Sequence, residues 1–294
     1  MLYNPRIMLF DTHCHIQFRA FKDDHEAVIK RCLDKGMILN LVGTQKDTSK
    51  WAVEMAEKYE NVYASIGTHP IHLHPTHVDE EETHFMTREE DFDEPYYDKL
   101  AQSKKVIGVG ECGLDLYHLP KDKTKEEVLA KQKDIFLKHL RFAEHHDLPL
   151  VIHCREAHDE MIKLLKSETS SKSQIKNLNI QGTIHCFTSN WSHAQQYLEM
   201  GFYLGFTGVV TFPPKKTDPN PQLQLNEVVE KVPLDRVVVE TDAPYLAPQS
   251  YRGQRAEPWM VEEVVKRFAV VRGVSAEEMA EITTANARRL FSID

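Results

Sequence analysis

The chain has 294 residues, of which 41% are hydrophobic and 28% are charged. This is an ordinary globular composition, so it excludes collagen-like, disulfide-framework and wholly disordered chains. The 36 Lys and Arg residues against 45 Asp and Glu residues give a formal net charge of −9. Nucleic-acid-binding proteins usually carry excess basic residues, so the acidic balance argues at first against that class.

Cysteine usage and hydropathy indicate the compartment. The five cysteines are widely spaced and include no C-x-x-C pair, which is typical of a protein in a reducing environment. The apolar stretch Ile7–Phe10 is too short for a signal peptide, and no stretch reaches the roughly 18 apolar residues of a membrane span. We therefore expect a cytoplasmic protein with no membrane partner.

Short apolar segments closed by polar residues predict eight strands that are buried on both faces. In chain order they are Met8–Thr12, Met37–Gly43, Val62–Gly67, Val106–Gly110, Leu150–Ile152, Thr183–Ile184, Tyr203–Phe206 and Arg236–Val239. Helical patterns separate them, as at Glu126–Asp147, and Ser275 with Glu278 predicts the start of the second of two C-terminal helices. This alternation predicts an α/β fold, a (β/α)8 TIM barrel forming one domain over 8–292. A doubly wound sheet is the alternative, but no G-x-G-x-x-G follows the first strand.

One segment differs from the rest in charge. Residues 79–98, between the third and fourth predicted strands, contain ten acidic residues against Arg88 alone. The net charge of this segment therefore equals that of the whole chain. We expect a solvated acidic insertion, a surface loop and helix without chemistry of its own.

Histidines and carboxylates collect where the predicted strands end. In chain order these residues are His13, His15, His69, Glu111, His153, His185 and Asp242. In a (β/α)8 barrel the C-terminal strand ends meet at one mouth, where the active site is built. The pattern therefore predicts a functional site at this mouth.

The residue types predict a metal centre. His13 and His15 are two apart on a strand, so both imidazoles point to one face and can share a cation. With Glu111, His153, His185 and Asp242 they form six nitrogen and oxygen ligands, whereas a catalytic zinc uses about three from the protein. We therefore expect two divalent ions bridged by Glu111. A ligand set of imidazoles and carboxylates without thiolate suits Zn, Mn or Co. Mg is also possible where carboxylate and water ligands dominate.

For other residues near these motifs, the sequence gives weaker indications of a functional role. Four cysteines directly follow a proposed ligand, and strand alternation predicts that they are small buried fillers facing away from the mouth: Cys14, Cys112, Cys154 and Cys186. Three histidines on a predicted helix are expected at the surface: His139, His145 and His146. His69 and the loop arginines Arg155, Arg252 and Arg255 are candidates for contact with a substrate phosphate.

Several motifs in combination resemble the TatD family of metal-dependent deoxyribonucleases. The resemblance runs from about Phe10 to Phe291, and its motifs are Asp11-Thr-His-Cys-His15, Gly67-Thr-His-Pro70, Gly110-Glu-Cys-Gly-Leu-Asp115, Leu150-Val-Ile-His-Cys-Arg-Glu156, His185-Cys-Phe-Thr188 and Glu240-Thr-Asp-Ala-Pro-Tyr-Leu246. The resemblance implies that one metal is held by His13, His15, Glu111 and Asp242. It implies that the other is held by Glu111, His153 and His185.

The chain departs from the family pattern at three places. Gln17 stands where the family usually has Asp, Ser189-Asn190 where it has Gly-Ser, and Ala256 where it has Asn. No departure removes a metal ligand. We expect them to affect substrate preference and not hydrolysis.

The expected activity is phosphodiester hydrolysis with two divalent ions, Mg, Mn or Zn, as in a 3′-5′ exonuclease type of deoxyribonuclease. Asp242 is the predicted general base, Glu111 the catalytic bridging carboxylate, and His69, Arg155 and Arg252 the substrate contacts. Bound divalent ions would attract phosphate to the mouth of an acidic protein. The net charge still predicts weak nonspecific binding to long duplexes, so the expected partners are DNA ends or short single strands.

Three rival functions fit parts of the same pattern. An amidohydrolase uses the same barrel and the same H-x-H opening, although many of these enzymes bridge two metals with a modified lysine where this chain has Glu111. A relative that hydrolyses aminoacyl-tRNA esters is the second rival. A metal-binding scaffold without catalytic activity is the third.

Overall fold

The computed structural model describes residues 8–75, 77–80, 83–169 and 181–293. Eight parallel strands form the main sheet, in the order β1 (Phe10–Cys14), β2 (Ile38–Val42), β3 (Val62–Ile66), β6 (Val106–Asp115), β7 (Leu150–Arg155), β8 (Gly182–Ile184), β9 (Tyr203–Phe206) and β10 (Val237–Val239). The sheet closes because Cys14 forms a parallel bridge with Ala243, and the N–H of His15 donates to the Ala243 carbonyl at 2.7 Å. The predicted (β/α)8 TIM barrel is confirmed.

Helices connect and surround the strands. They are α1 (His25–Asp34), α2 (Lys46–Ala56), α3 (Glu94–Leu100), α4 (Lys125–His146), α5 (His158–Thr169), α6 (Trp191–Glu199), α7 (Asn220–Lys231), α8 (Val261–Arg272) and α9 (Ala276–Phe291). Ser275 caps α9 by accepting from the Glu278 N–H at 3.0 Å, as its sequence predicts. Within the described part of the chain, no helix has the length and apolarity that a membrane crossing requires.

The lower end of the barrel is filled by apolar side chains. Phe10, Ile38, Val151 and Val238 point into the barrel near the N-terminal ends of their strands and form one buried cluster with α9. Phe291 of α9 closes this end, with its ring centroid 5.8 Å from that of Phe10. The opposite, C-terminal end of the barrel is therefore the one left open for polar residues.

Two strands are longer than the sequence predicts, and the difference positions the site. The predicted fourth and fifth strands stop at Gly110 and Ile152, whereas β6 and β7 continue to Asp115 and Arg155. Their pairing shifts register between Val109 and Cys112, and such a bulge redirects the side chain beside it. A Cβ on Gly113 would lie 1.9 Å from the His153 carbonyl oxygen, so the glycine permits this close pairing.

The acidic insertion contains the predicted helix and, among its described residues, strands that the sequence does not predict. It contains the hairpin of β4 (His77–Glu80) and β5 (Thr83–Met86), followed by α3, while residues 81–82 of the predicted segment lie outside the described residues. Phe92 and Tyr97 of this segment are buried, at 7% and 0% exposure. The prediction of a merely solvated insertion is therefore wrong for its second half, because aromatic residues anchor it against the barrel.

Candidate metal centre

The structure brings together at the C-terminal mouth the six residues predicted as metal ligands: His13, His15, Glu111, His153, His185 and Asp242. The two oxygens of Glu111 point to different sides. Oε2 lies 3.3 Å from His13 Nε2, and Oε1 lies 3.0 Å from His153 Nδ1. On the first side, Asp242 Oδ1 lies 3.2 Å from His15 Nε2.

Potential ligand atoms form three overlapping sets, each with all atoms within 4.8 Å of one another. The sets are His13, His185 and Asp242; His13, His15 and Glu111; and His69, Glu111 and His153. Imidazole nitrogen and carboxylate oxygen are donors that Zn and Mn accept readily. The donor chemistry of the cluster therefore fits divalent metal.

The tautomer of His15 is set by the backbone. Its Nδ1 donates to the carbonyl of Val42 at 2.7 Å, so the lone pair of the neutral ring is on Nε2, which faces the cluster. Gln17, one of the departures from the family pattern, donates its Nε2 to the same carbonyl at 2.7 Å. His15 is thus oriented as a metal-ligating imidazole would be.

Buried carboxylates orient two further imidazoles. Asp115 Oδ2 lies 3.1 Å from His153 Nε2, which leaves Nδ1 to face Glu111. Glu240 Oε1 lies 2.9 Å from His185 Nδ1, on the far side of the ring from the cluster. Carboxylates behind ligating histidines are a recurrent feature of metal sites. Sequence reasoning missed this role for both, although each stands in a quoted motif.

Burial and charge together make the cluster a place for a cation. Burial lowers the pKa of His185, but Glu240, Asp242 and Glu111 outweigh burial and raise it to about 10. Burial raises the pKa of Glu111, but His69, His13 and His185 bring it well below its usual value. Because the pKa values of Glu111 and Asp242 are both lowered, these two carboxylates are ionised, and positive charge is favoured between them.

His69 differs from the other histidines in its tautomer. Its Nδ1 accepts a hydrogen bond from the N–H of Ile71 at 3.1 Å, so in the neutral ring the proton is on Nε2. That Nε2 lies 3.3 Å from Glu111 Oε1. Burial lowers the pKa of His69, which favours the neutral ring. The geometry therefore makes His69 a hydrogen-bond donor at the mouth, although its ring lies within a potential metal set.

The mouth opens into a cavity of about 410 Å³ that is lined by two of the three candidate arginines, Arg155 and Arg252. The guanidinium carbon of Arg155 lies 3.8 Å from the ring centroid of Tyr117, and that of Arg252 lies 4.6 Å from the ring centroid of Phe212. Both charges are thus oriented by aromatic rings. Arg255 does not line this cavity.

Two predictions for the neighbouring cysteines need correction. Cys14 and Cys112 are buried away from the mouth as predicted, but Cys154 and Cys186 line the site cavity, and Cys186 is only half-buried. Cys186 has a positive φ of 44° in the loop after β8, so strand alternation does not apply to it. Burial raises the pKa of Cys154 to about 12, so this thiol stays protonated.

The prediction that His139 lies at the surface is also wrong. Its side chain is 0% exposed, and its Nε2 accepts from the N–H of Thr68 at 2.9 Å. His145 is exposed as predicted, and His146 is half-buried beside Asp98. His139 was missed because its partner is far away in the sequence.

A centre of imidazoles and carboxylates at the C-terminal mouth of a (β/α)8 barrel is the arrangement of a metal-dependent hydrolase. Comparison with known proteins identifies the family. A sequence model of the family described as TatD related DNase matches residues 10–292. The chain therefore belongs to the TatD family, as its motifs predict, and it is a metal-dependent hydrolase.

Individual relatives match along nearly their whole length. The uncharacterized metal-dependent hydrolase YabD of Bacillus subtilis is 37% identical over 98% of this chain and 100% of that protein. A protein named 3′-5′ ssDNA/RNA exonuclease TatD, from Erwinia amylovora, is 30% identical over 97% of this chain and 100% of that protein. The crystal structure of YjjV, a TatD homologue from Escherichia coli K12, has a TM-score of 0.78 at 26% identity, covering 97% of this chain and 98% of that one.

Proposed function

We propose that this chain is a binuclear phosphodiesterase that removes nucleotides from the 3′ end of single-stranded DNA or RNA, with residues 8–292 acting as one catalytic domain. The orientation of Glu111 carries the proposal. Its Oε2 faces His13 at 3.3 Å, and its Oε1 faces His153 at 3.0 Å, as a bridging carboxylate requires. The exonuclease named among the relatives supports the choice of substrate.

The ligands divide into two groups around Glu111. His13, His15, Glu111 and Asp242 would hold one divalent ion. Glu111, His153 and His185 would hold the other, although His185 Nε2 also lies 3.8 Å from Asp242 Oδ1. Mg, Mn or Zn suits this mixture of imidazole and carboxylate. When bound, such ions lower the pKa of water and polarise phosphoryl oxygens.

Asp242 is suited to accept the proton of the attacking water. Its side chain is 17% exposed, compared with 5% for that of Glu111, so it is more accessible from the cavity. Burial raises the pKa of Asp242, but His185 and His15 bring it below its usual value and keep the carboxylate ionised. We therefore assign it the role of general base.

The remaining residues position the substrate. His69 presents Nε2–H to the mouth and would donate to an oxygen of the scissile phosphate or of the leaving group. Arg155 and Arg252, held against Tyr117 and Phe212, would balance the charge of the phosphate.

The assignment of Asp242 is tested by Asp242→Asn, which keeps the shape of the side chain but removes the base. We expect kcat on end-labelled single-stranded DNA to fall at least about a hundredfold, with unchanged circular dichroism. Asp159→Asn is the matched control, because Asp159 is an exposed carboxylate that pairs with His193 outside the site. Wild-type turnover by the Asp242 variant would disprove the base assignment.

The substrate class is tested by incubating end-labelled single- and double-stranded DNA and RNA with Mg, Mn and Zn in turn. We expect a ladder that shortens from the 3′ end of the single strands. If no nucleic acid is cleaved, but small amides release ammonia or carboxylate, the chain is an amidohydrolase and the proposal is wrong.

A further inference from the structure

A second, larger cavity lies directly beside the site. Its volume is about 930 Å³, compared with about 410 Å³ for the cavity at the ligand cluster. The two share five lining residues: Phe18, Thr44, His72, Tyr245 and Arg252. We call the larger cavity the side groove. It is continuous with the place where the scissile phosphate would lie.

Phe18, which lines both cavities, contacts a proposed metal ligand. The ring of Phe18 stacks on that of His15, with centroids 4.3 Å apart and an angle of 13° between the planes. A polymer that passes from the site into the side groove would therefore cross Phe18. The side groove is therefore a path along which the rest of such a polymer could leave the site.

The charged residues that line the side groove favour an anion. They are Arg19, Arg88, Arg252 and Arg255, against Asp47 alone. Asp47 pairs with Arg88 at 2.7 Å, and Asp24 pairs with Arg255 at 2.7 Å, so these two arginines are partly neutralised. Arg19 is exposed to solvent, and Arg252 lies where the two cavities meet. A net positive lining in a chain of charge −9 is suited to a phosphate backbone.

An aromatic ring lines the same groove. Trp51 of α2 is 46% exposed, and its indole contributes to the groove wall. Exposed aromatic rings beside basic residues are the usual platform for the bases of single-stranded nucleic acids, because every base has a face that can stack. Duplex DNA hides those faces within its own stack.

A buried polar group also points to a ligand. Gln45 lines the side groove with only 7% of its surface exposed. Its side-chain nitrogen is buried and has no hydrogen-bond partner among the residues that the structure describes. A buried unsatisfied donor is costly, and the oxygen of a phosphate or of a base would satisfy it.

From the basic lining, the exposed Trp51 and the buried Gln45 nitrogen, we propose that the side groove binds part of a single-stranded polynucleotide. This part continues beyond the scissile phosphate, with Trp51 stacking on a base and Arg19 contacting the backbone. This rests on the proposed function, and it extends the substrate from the scissile bond to several nucleotides. It adds Trp51, Arg19 and Gln45 to the residues that decide specificity.

Binding is measured separately from cleavage, in the Asp242→Asn background with Mg. The probe is a fluorescein-labelled oligothymidylate of about twelve nucleotides, a length that exceeds one groove. We expect Trp51→Ala to weaken its affinity about tenfold, and Trp51→Phe to retain most of the affinity because the ring can still stack. We expect Arg19→Ala to lower the slope of log affinity against log salt by about 0.7. Gln45→Leu removes the donor, and we expect it to weaken binding severalfold.

Two surface variants serve as matched controls. Leu223→Ala removes a side chain that is 52% exposed on α7, and Arg141→Ala removes an exposed arginine on α4; neither residue lines either cavity. We expect both to bind the oligonucleotide as the parent does. Equal affinities for the Trp51→Ala, Arg19→Ala and parent proteins would overturn the groove proposal.

A second measurement separates this proposal from the proposed function. The ratio of kcat/KM on the oligonucleotide to kcat/KM on bis(p-nitrophenyl) phosphate, which is too small to enter the groove, should fall about tenfold in Trp51→Ala. A merely structural role for Trp51 would lower both values and leave the ratio unchanged. If the wild-type chain shortens the oligonucleotide but the ratio is unchanged in Trp51→Ala, the groove proposal is wrong and the proposed function stands. If it cleaves only the small diester, the groove proposal and the exonuclease substrate are both wrong, although phosphodiester hydrolysis stands. If it cleaves neither substrate with any metal, the proposed function itself fails.

Discussion

At the scale of single residues, the imidazole of His139 is held in one tautomer by two backbone groups. Its Nδ1 donates to the Ile135 carbonyl at 2.9 Å, and its Nε2 accepts from the Thr68 N–H at 2.9 Å. Burial lowers the pKa of His139 to about 4, because a charged ring would be desolvated there. Thr68 directly precedes His69, so a neutral His139 holds in place the segment that presents His69 to the mouth.

This predicts a dependence of stability on pH. In the unfolded chain His139 binds a proton near pH 6.5, whereas in the folded chain it does so only near pH 4. Between these values unfolding takes up a proton, so the free energy of unfolding falls as the pH falls from 6.5 towards 4. The contribution of His139 is on the order of 3 kcal/mol. Urea unfolding at several pH values in this range measures it.

Comparison with His139→Gln isolates this contribution. Glutamine can accept from Thr68 but does not titrate, so the variant should lose less stability than the wild type over the same pH range. His145→Gln, an exposed change on the same helix, should behave as the wild type does. Parallel pH curves for the wild type and the His139 variant would contradict the prediction.

At the scale of elements, the second half of the acidic insertion supports the end of β3. The hydroxyl of Tyr97 in α3 donates to the Gly67 carbonyl at 2.9 Å and lies 3.0 Å from Thr68 Oγ1. The ring of Phe92 stacks on that of Tyr97, with centroids 4.7 Å apart. The insertion and α4 therefore hold the same short segment before His69 from two sides.

We expect Tyr97→Phe to lower the free energy of unfolding by about 1–1.5 kcal/mol, because the buried Gly67 carbonyl loses its 2.9 Å hydrogen bond and keeps only the longer one from the Ser49 hydroxyl, at 3.3 Å. Tyr96→Phe is the matched control on the same helix. Its hydroxyl donates to the Lys46 carbonyl at 3.0 Å in a partly exposed position, where water can replace the lost bond. The control should cost about 0.5 kcal/mol or less. Urea unfolding measures the loss of unfolding free energy in each variant. An equal loss in both would show that burial of the hydrogen bond does not matter.

At the scale of the whole molecule, negative charge is concentrated where the barrel opens. Glu111 and Asp242 face the mouth, while Asp115 and Glu240 lie buried behind the histidines at 0% exposure. The neighbouring histidines compensate part of this charge and keep Glu111 and Asp242 ionised, with pKa values below their usual values. The folded chain therefore holds at its mouth ionised carboxylates whose charge a divalent cation can balance in place of histidine protons.

Metal should consequently stabilise the folded chain. At a free Mn or Zn concentration about a hundredfold above Kd, the free energy of unfolding should rise by about 2.7 kcal/mol per site. Calorimetry of the chain after removal of metal, and after its return, measures the change in Tm. His15→Ala removes a predicted ligand and should reduce the shift. If metal leaves Tm unchanged in the wild type, the cluster does not bind it.

Much of the fold and of the ligand set could be predicted from the sequence, because the signals are local. Each strand is a short apolar run, and the H-x-H spacing places His13 and His15 on one face whatever surrounds them; their Nε2 atoms lie 3.1 Å apart. The order of strands then brings the strand ends to one mouth. The family motifs point to the same residues.

What the sequence could not predict depends on partners distant along the chain. The polar side chain of His139 suggested a surface position, but its partner, the Thr68 N–H, lies 71 residues away. The continuation of β6 beyond Gly110 depends on its pairing with β7, and this pairing carries Glu111 into the site.

The sequence by itself determined the fold class, the family and which imidazoles and carboxylates gather at the mouth, since periodicity and motif spacing are properties of neighbouring residues. Only the tertiary structure decided which ring nitrogen each histidine presents. The tautomers of His15 and His69 depend on the Val42 carbonyl and the Ile71 N–H, and so on the path of the folded backbone. It is likewise the folded chain that gives the mouth a second, arginine-lined cavity beside it, because that cavity is walled by segments far apart in the sequence.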